Sequence, residues 1–158
     1  MIFYCDLDGV LSNFDGRVSE IIGHFNPTYD EVREAMKTPG FFRSLAVLPG
    51  ALEAIAVVEA MIPGQVRILS AVPYSVPELA VTAREDKKAW LREHLPHLAD
   101  TAHIVPDKGC IGTPSDLILD DHIDWNGCDR FPGMKIEYTG PESWLKLMEE
   151  ISKKLREN

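Results

Sequence analysis

The sequence lacks the features of a secreted, membrane-spanning or thiolate-metal protein. Its three cysteines, Cys5, Cys110 and Cys128, are widely spaced and form no C-x-x-C pair, which argues against a disulfide framework or a zinc site. No apolar run approaches the roughly 18 residues of a membrane helix, and the first residues have neither the basic nor the apolar stretch of a signal peptide. We therefore expect a cytoplasmic protein without a membrane partner.

Positive charge is also scarce. Sixteen lysines and arginines stand against 25 aspartates and glutamates, so the formal net charge is -9. This balance argues against a nucleic acid polymer or an anionic membrane as partner. A small anionic substrate would need a local positive centre, either a metal ion or a few well-placed lysines. The length of 158 residues predicts a single domain over residues 1–158, and leaves the assembly state open, a homodimer included.

Short apolar runs alternate with helical patterns along the chain. Helical spacing predicts a helix at 51–61, another at 87–95, and a last one that begins at Pro141. This alternation is typical of a doubly wound α/β sheet, and the nearly continuous apolar runs indicate parallel strands that are covered on both faces. The predicted strands are residues 2–5, 66–69, 102–105, 117–119 and 135–138.

A long stretch separates the first strand from the helix at residue 51. It is too long for an ordinary crossover loop of about 2–6 residues. Residues 17–25 and 29–37 within it have helical patterns. We interpret residues 13–48, approximately, as a small helical cap that is inserted after the first strand.

Polar side chains follow four of the predicted strands. Because sites in open parallel sheets form beyond the carboxyl ends of the strands, we expect these residues to meet in one cleft. They are Asp6 and Asp8 after the first strand, Ser70 after the second, Lys108 after the third, and Asp120 and Asp121 after the fourth.

This set of residues favours phosphoryl transfer. Gathered carboxylates repel one another unless a cation neutralises them, and Mg²⁺ prefers carboxylate, water and phosphate oxygens. A hydroxyl at Ser70 and an ammonium at Lys108 suit the remaining phosphate oxygens. Asp6 can serve as the nucleophile, while Asp8 protonates the leaving oxygen and later activates water.

Simpler interpretations stay open for some of these residues. Ser70 can be a helix-capping hydroxyl, and the Asp120–Asp121 pair can form a turn. Lys108 can be a surface lysine, and Lys87 and Lys88 compete with it for contact with the phosphate.

Four segments resemble the ordered motifs of the haloacid-dehalogenase superfamily. They are DLDGVL from Asp6, ILSA around Ser70, PDK ending at Lys108, and ILDD ending at Asp121. The resemblance implies a three-layer α/β/α sandwich with a mostly parallel, Rossmann-like sheet. It also implies that Mg²⁺ is held by Asp6, the backbone carbonyl of Asp8, and Asp120. Asp121 would then contact these ligands without binding the ion, or would bind the ion through a water molecule. Ser70, Ala71 and Lys108 would then bind the phosphate.

The segments DLDGVLSNF, GFFRSLAVLPGALEAI and DKKAWLREHLP are similar to the 5'(3')-deoxyribonucleotidase-like branch of that superfamily. This similarity implies hydrolysis of a nucleoside monophosphate, with Lys87 reaching the phosphate. Phe14, Phe41 and Phe42 are the candidates for stacking on the base, although a core role is equally consistent with their pattern. A phosphatase for another small metabolite, or a catalytically silent binding module, is the alternative function.

Overall fold

The structure is a computed structural model, and it describes residues 1–73 and 76–157. Its strands are β1 (Phe3–Cys5), β2 (Val66–Ala71), β3 (His103–Val105), β4 (Leu117–Asp120) and β5 (Met134–Glu137). Its helices are α1 (Phe14–Ile22), α2 (Tyr29–Met36), α3 (Ala51–Met61), α4 (Pro77–His94), α5 (Pro96–Ala99) and α6 (Glu142–Glu157). Short 3₁₀ segments follow β3 (Lys108–Cys110) and β4 (Cys128–Arg130). None of the helices in the described ranges has the length and apolar character needed to cross a membrane.

The five strands form one parallel sheet in the order β3-β2-β1-β4-β5. Cys5 at the end of β1 pairs with Ile68 on one side and with Leu119 on the other. The chain therefore leaves β1, β2 and β4 at the same edge of the sheet. The predicted α/β fold with a parallel sheet is confirmed.

Alternate residues of the strands enter two apolar clusters on opposite faces of the sheet. Phe3 and Cys5 of β1 belong to the larger cluster, together with buried residues of every long helix. Tyr4 belongs to the smaller cluster, where it packs with Cys128 and Phe131. The second face is thus covered mainly by loops and a 3₁₀ segment, so this third layer of the sandwich is thin.

The helices differ from the sequence prediction mainly at their ends. Helix α1 begins at Phe14, three residues early, because the Asn13 side chain accepts a hydrogen bond from the Gly16 amide. It ends before Gly23, whose φ of 83° is favourable for glycine. Helix α4 begins ten residues before the predicted start, with Pro77 in its first turn.

Residues 13–48 leave the sheet and return at neighbouring points. The Leu48 amide donates to the Leu11 carbonyl at 2.8 Å, and the Asn13 amide donates to the Ala46 carbonyl at the same distance. The Trp90 indole of α4 donates to the carbonyl of Leu45 at 2.7 Å. These bonds fix the base of the insertion beside the loop that follows β1.

Candidate active site

The structure brings the predicted polar residues together around one cavity of about 310 Å³. The loop after β1 and the end of β4 with the residue that follows it supply the aspartates. The end of β2 supplies a hydroxyl, and α4 and the segment after β3 supply lysines. The shared strand ends explain this convergence, because parallel strands deliver their following residues to one edge. The predicted residues that line the cavity at this end are Asp6, Asp8, Ser70, Ala71, Lys87, Lys108, Asp120 and Asp121.

Lys108 is a buried cation between two carboxylates. Its Nζ lies 2.9 Å from Asp6 Oδ2 and 2.6 Å from Asp120 Oδ2. Burial alone would lower the pKa of Lys108, but the charges of Asp6 and Asp120 outweigh burial and raise that pKa above its usual value. Lys108 is therefore charged at every physiological pH, and it holds the two carboxylates at a fixed separation.

Lys87 makes the matching contact with the second aspartate of the β1 loop. Its Nζ lies 2.6 Å from Asp8 Oδ2 and donates to Ser70 Oγ at 3.0 Å and to the Ala71 carbonyl. Burial raises the pKa of Asp8, and the charge of Lys87 opposes that effect. Lys87, not its neighbour Lys88, reaches the cavity, since consecutive helical side chains point about 100° apart.

Three carboxylates lie close enough to share a cation. Oxygen atoms of Asp6, Asp120 and Asp121 all lie within 4.8 Å of one another. Asp120 is fully buried, and its Oδ1 accepts a hydrogen bond from the His122 amide at 2.9 Å. Burial, followed by the charges of Asp6 and Asp120, raises the pKa of Asp121 to about 8. Asp8 stands apart from this group, because its carboxylate faces Lys87.

Gly9 allows Asp121 to approach the β1 loop. Its φ is 80°, and a Cβ built on it would lie 2.0 Å from Asp121 Oδ2. Any side chain at position 9 would therefore displace the carboxylate or distort the loop. The absence of a side chain at Gly9 thus leaves room for the Asp121 carboxylate beside the end of β1.

The charges of the site fit a divalent cation. The four aspartates after β1 and at the end of β4, with the two lysines, leave a formal charge of about -2 when all six groups are ionised, and Asp15 adds a fifth carboxylate to the cavity lining. Asp121 lacks a direct lysine contact among the residues that the structure describes: its side-chain ion-pair partner there is the His122 ring, whose Nε2 lies 3.6 Å from Oδ2 and is charged only when protonated. Oxygen ligands of this kind suit a hard divalent cation, so Asp6, Asp120 and Asp121 could bind one.

The other end of the cavity is largely apolar and aromatic. Phe14 and Phe42 line it, and Lys87 Nζ lies 4.9 Å from the Phe42 ring centroid. Phe41 packs edge-on against both phenylalanines but is almost fully buried and does not line the cavity. Of the three predicted aromatic residues, two thus face the open space and Phe41 supports them from the core.

Further residues that were not predicted as site residues also line the cavity. Tyr29 and Met36 come from the insertion, while His122 and Trp125 come from the loop after β4. The rings of His122 and Trp125 meet at right angles, with centroids 5.3 Å apart. Ser12, a fully buried serine next to Asp8, was also missed. The helical pattern in 29–37 places Tyr29 and Met36 on a predicted helix. His122 directly follows the Asp120–Asp121 pair, a position that also suits a surface histidine, and no sequence signal marks Trp125 or Ser12.

Comparison with known families agrees with this chemistry. The family model described as "5' nucleotidase, deoxy (Pyrimidine), cytosolic type C protein" matches residues 24–144. The chain belongs to this family. The match includes Ser70, Lys87, Lys108 and the Asp120–Asp121 pair, and the β1 loop with Asp6 lies before it. Comparison with curated proteins finds no match.

Membership in this 5'-nucleotidase family establishes the general activity. The protein is a phosphoric monoester hydrolase of the haloacid-dehalogenase type, so its substrate is a small phosphorylated molecule of the nucleotide class. Phosphatases of this type generally use a metal ion, and the Asp6, Asp120 and Asp121 cluster of this 5'-nucleotidase could bind one.

Proposed function

We propose that the protein hydrolyses deoxynucleoside or nucleoside 5'-monophosphates through an aspartyl-phosphate intermediate on Asp6, with Mg²⁺ as cofactor. The observation that carries this proposal is the pairing of two aspartates with two different lysines. Asp6 contacts Lys108 and belongs to the carboxylate cluster, while Asp8 contacts Lys87 and does not. Two neighbouring aspartates thus have the different surroundings that different catalytic roles require.

Asp6 is suited to act as the nucleophile. Its Oδ1 accepts a hydrogen bond from the Leu7 amide at 2.8 Å, and its Oδ2 lies against Lys108. These contacts orient the carboxylate toward the cavity. In the first step an Asp6 oxygen forms a bond to phosphorus while the bond from phosphorus to the ester oxygen breaks.

Asp8 is suited to act as the general acid and then as the general base. Burial raises its pKa, which favours the protonated acid that a leaving alkoxide needs. In the first step the Asp8 carboxyl gives its proton to the departing nucleoside oxygen. In the second step the Asp8 carboxylate takes a proton from water, which attacks phosphorus, and the bond from Asp6 to phosphorus breaks to release inorganic phosphate.

Asp6, Asp120, Asp121 and the backbone carbonyl of Asp8 would hold Mg²⁺. When bound, this ion neutralises the carboxylate cluster and the phosphate oxygens, which lowers the electrostatic barrier to attack by an anion. Ser70, the backbone at Ala71, Lys87 and Lys108 would bind the phosphate oxygens from the opposite side. Charge stabilisation and positioning by these groups account for most of the expected acceleration.

We further propose that residues 13–48 act as a cap over the substrate. Phe14, Tyr29, Val32, Met36 and Phe42 of this segment line the cavity. Their apolar and aromatic surfaces suit a nucleobase better than the hydroxyl-rich surface of a sugar phosphate. The volume of about 310 Å³ lies at the lower end of the range for small-molecule sites, which favours one nucleotide over a longer chain.

A substrate panel tests the proposed class. Nucleoside monophosphates and sugar phosphates should be compared at equal concentration, with Mg²⁺ or with EDTA, by release of inorganic phosphate. We expect clear preference for nucleoside monophosphates and no turnover in EDTA until Mg²⁺ is added back. Equal rates on sugar phosphates would favour the alternative metabolite phosphatase, and unchanged rates in EDTA would eliminate the metal.

The variant Asp6→Asn tests the covalent step. It should reduce turnover at least about a thousandfold while the fold is retained, because the amide is a poor nucleophile. Acid-quenched wild-type protein should carry a phosphoryl label from labelled substrate, and the variant should carry none. Asp100→Asn, at an exposed position after α5, is the charge-matched control and should behave as wild type. A tenth of wild-type activity in Asp6→Asn would contradict the covalent mechanism.

A further inference from the structure

Ser12 is a fully buried polar residue next to the proposed acid and base. Its Oγ lies 3.3 Å from Asp8 Oδ1 and 3.2 Å from the Leu7 carbonyl. A serine hydroxyl donates one hydrogen bond and can accept others. The Leu7 carbonyl already accepts the Ser12 and Leu11 amides at 2.9 Å. Because the Leu7 carbonyl already has two donors, the Ser12 hydroxyl is available to Asp8, and this bond is strongest in the ionised form of Asp8 that takes up the proton in the second step.

We propose that Ser12 is a positioning residue that fixes the orientation of the Asp8 carboxyl group. Lys87 holds Asp8 Oδ2 at 2.6 Å, and Ser12 contacts Oδ1. One contact on each oxygen defines the plane of the carboxyl group. With Lys87 alone, this plane could turn about the last side-chain bond, since that torsion is broad in aspartate.

The backbone around Ser12 gives the hydroxyl a fixed position. The Ser12 amide donates to Leu7 at 2.9 Å, and the Gly9 amide donates to the Ser12 carbonyl at 2.8 Å. The loop from Leu7 to Ser12 is thus closed by its own backbone bonds. A hydroxyl on such a loop can hold a neighbouring side chain at little entropic cost.

Ser12 also lies where the proposed cap joins the sheet. It forms a backbone bridge with Val47, between the bonds that join Leu11 to Leu48 and Asn13 to Ala46. The residue that contacts Asp8 is therefore held from both the β1 loop and the returning end of the cap. A shift at the base of the cap would change the position of the Ser12 hydroxyl and with it the orientation of Asp8.

This inference rests on the proposed function, because it assigns Ser12 a role only through Asp8. A double-mutant cycle of Ser12→Ala, Asp8→Asn and the double variant distinguishes failure of the Ser12 inference from failure of the proposed role of Asp8. Initial rates of nucleoside 5'-monophosphate hydrolysis over a range of substrate and Mg²⁺ concentrations give kcat, KM and the Mg²⁺ requirement. For the slow variants, reactions of phosphate-labelled substrate with enzyme in excess quantify the chemical step. Ser143→Ala removes a similarly buried hydroxyl from the start of α6 and serves as the matched control.

We expect Asp8→Asn to slow the reaction about 10²- to 10⁴-fold, as loss of a general acid and base does. Ser12→Ala should lower kcat about tenfold or more with KM within twofold of wild type, because misorientation of a reacting group acts on the chemical step. In the Asp8→Asn background the added effect of Ser12→Ala should fall below twofold. Ser12→Thr, which keeps the hydroxyl, should recover most of kcat, and Ser143→Ala should match wild type.

Each other outcome decides a different point. If Ser12→Ala keeps kcat within twofold of wild type, or slows Asp8→Asn as much as it slows wild type, the Ser12 inference is overturned. If Asp8→Asn itself has normal turnover, the proposed role of Asp8 fails first, whatever Ser12 does. A rise in KM or in the Mg²⁺ concentration for half activity, without a change in kcat, would mean that Ser12 supports the binding site and not Asp8.

Discussion

In the absence of a divalent cation, the folded protein should lose stability as the pH rises through the neutral range, and Asp121 should be a main cause. Its pKa of about 8 in the fold compares with 3.8 for an ordinary aspartate. Between these values the folded state keeps a proton that the unfolded chain has released. Stability linked to Asp121 is therefore fully present below the lower value and is lost as the pH rises toward the higher one.

The magnitude follows from the difference of one proton. Where Asp121 is protonated in the fold and ionised in the unfolded chain, the free energy of unfolding falls by about 1.4 kcal/mol per pH unit, or about 2.7 kcal/mol from pH 5 to pH 7. Burial also raises the pKa of Asp8 and Asp120, so these carboxyl groups add to the decline with the same sign. Saturating Mg²⁺ should remove most of the dependence, because the ion binds the ionised cluster.

Urea denaturation at several pH values, in EDTA, measures this effect for wild type and Asp121→Asn. The variant cannot release a proton at position 121, so its stability should fall less steeply between pH 5 and pH 7 than that of wild type. At pH 7 without metal it should also be the more stable protein. Parallel pH dependences for the two proteins would refute the reasoning, since Asp121 would then not hold a proton in the metal-free fold.

Two further substitutions test close contacts in the structure. Gly9→Ala should raise the Mg²⁺ concentration for half activity, because its Cβ would lie 2.0 Å from Asp121 Oδ2. The control is Gly64→Ala, a position with a similar positive φ and no atom within 4 Å of an added Cβ. It should cost only about 1–2 kcal/mol of backbone strain and leave the Mg²⁺ requirement unchanged. Equal Mg²⁺ requirements in the two variants would contradict the contact at Gly9. Trp90→Phe should lower the free energy of unfolding by about 1–3 kcal/mol, since the buried Leu45 carbonyl loses its donor at 2.7 Å. Urea denaturation measures this change, and an unchanged free energy of unfolding would contradict the importance of that hydrogen bond.

The sheet could be predicted from the sequence because its strands are buried on both faces. Short continuous apolar runs such as residues 117–119 are typical of strands in a covered parallel sheet, and parallel topology then places the residues after each strand at one edge. Asp6, Ser70 and Asp120 follow directly from this rule. Their contacts with particular lysines do not, because the lysines come from a helix and from a 3₁₀ segment whose geometry no pattern specifies.

The remaining site residues depend on how irregular segments fold. Ser12 reaches Asp8 only because the Leu7–Ser12 loop closes on itself. Trp125 lines the cavity through a loop after β4 that contains Asn126, a non-glycine residue with a φ of 52°. Phe41 and Phe42 are adjacent, and the side that each ring takes is set by packing within the insertion. Residue spacing in the sequence does not specify these loop conformations and side-chain orientations, because tertiary packing determines them.

The adjacency of the two ends of the insertion has a practical consequence for engineering. Residues 13 and 46 are joined by a direct backbone bond of 2.8 Å, so a linker of a few residues could span the gap between them. Such a replacement would remove the buried side chain of Phe41 and the hydrogen bond from Trp90 to Leu45. The same junction could accept a foreign helical segment of different length. Under the proposed function, transplanting such segments would test whether residues 13–48 determine which phosphate esters the protein accepts.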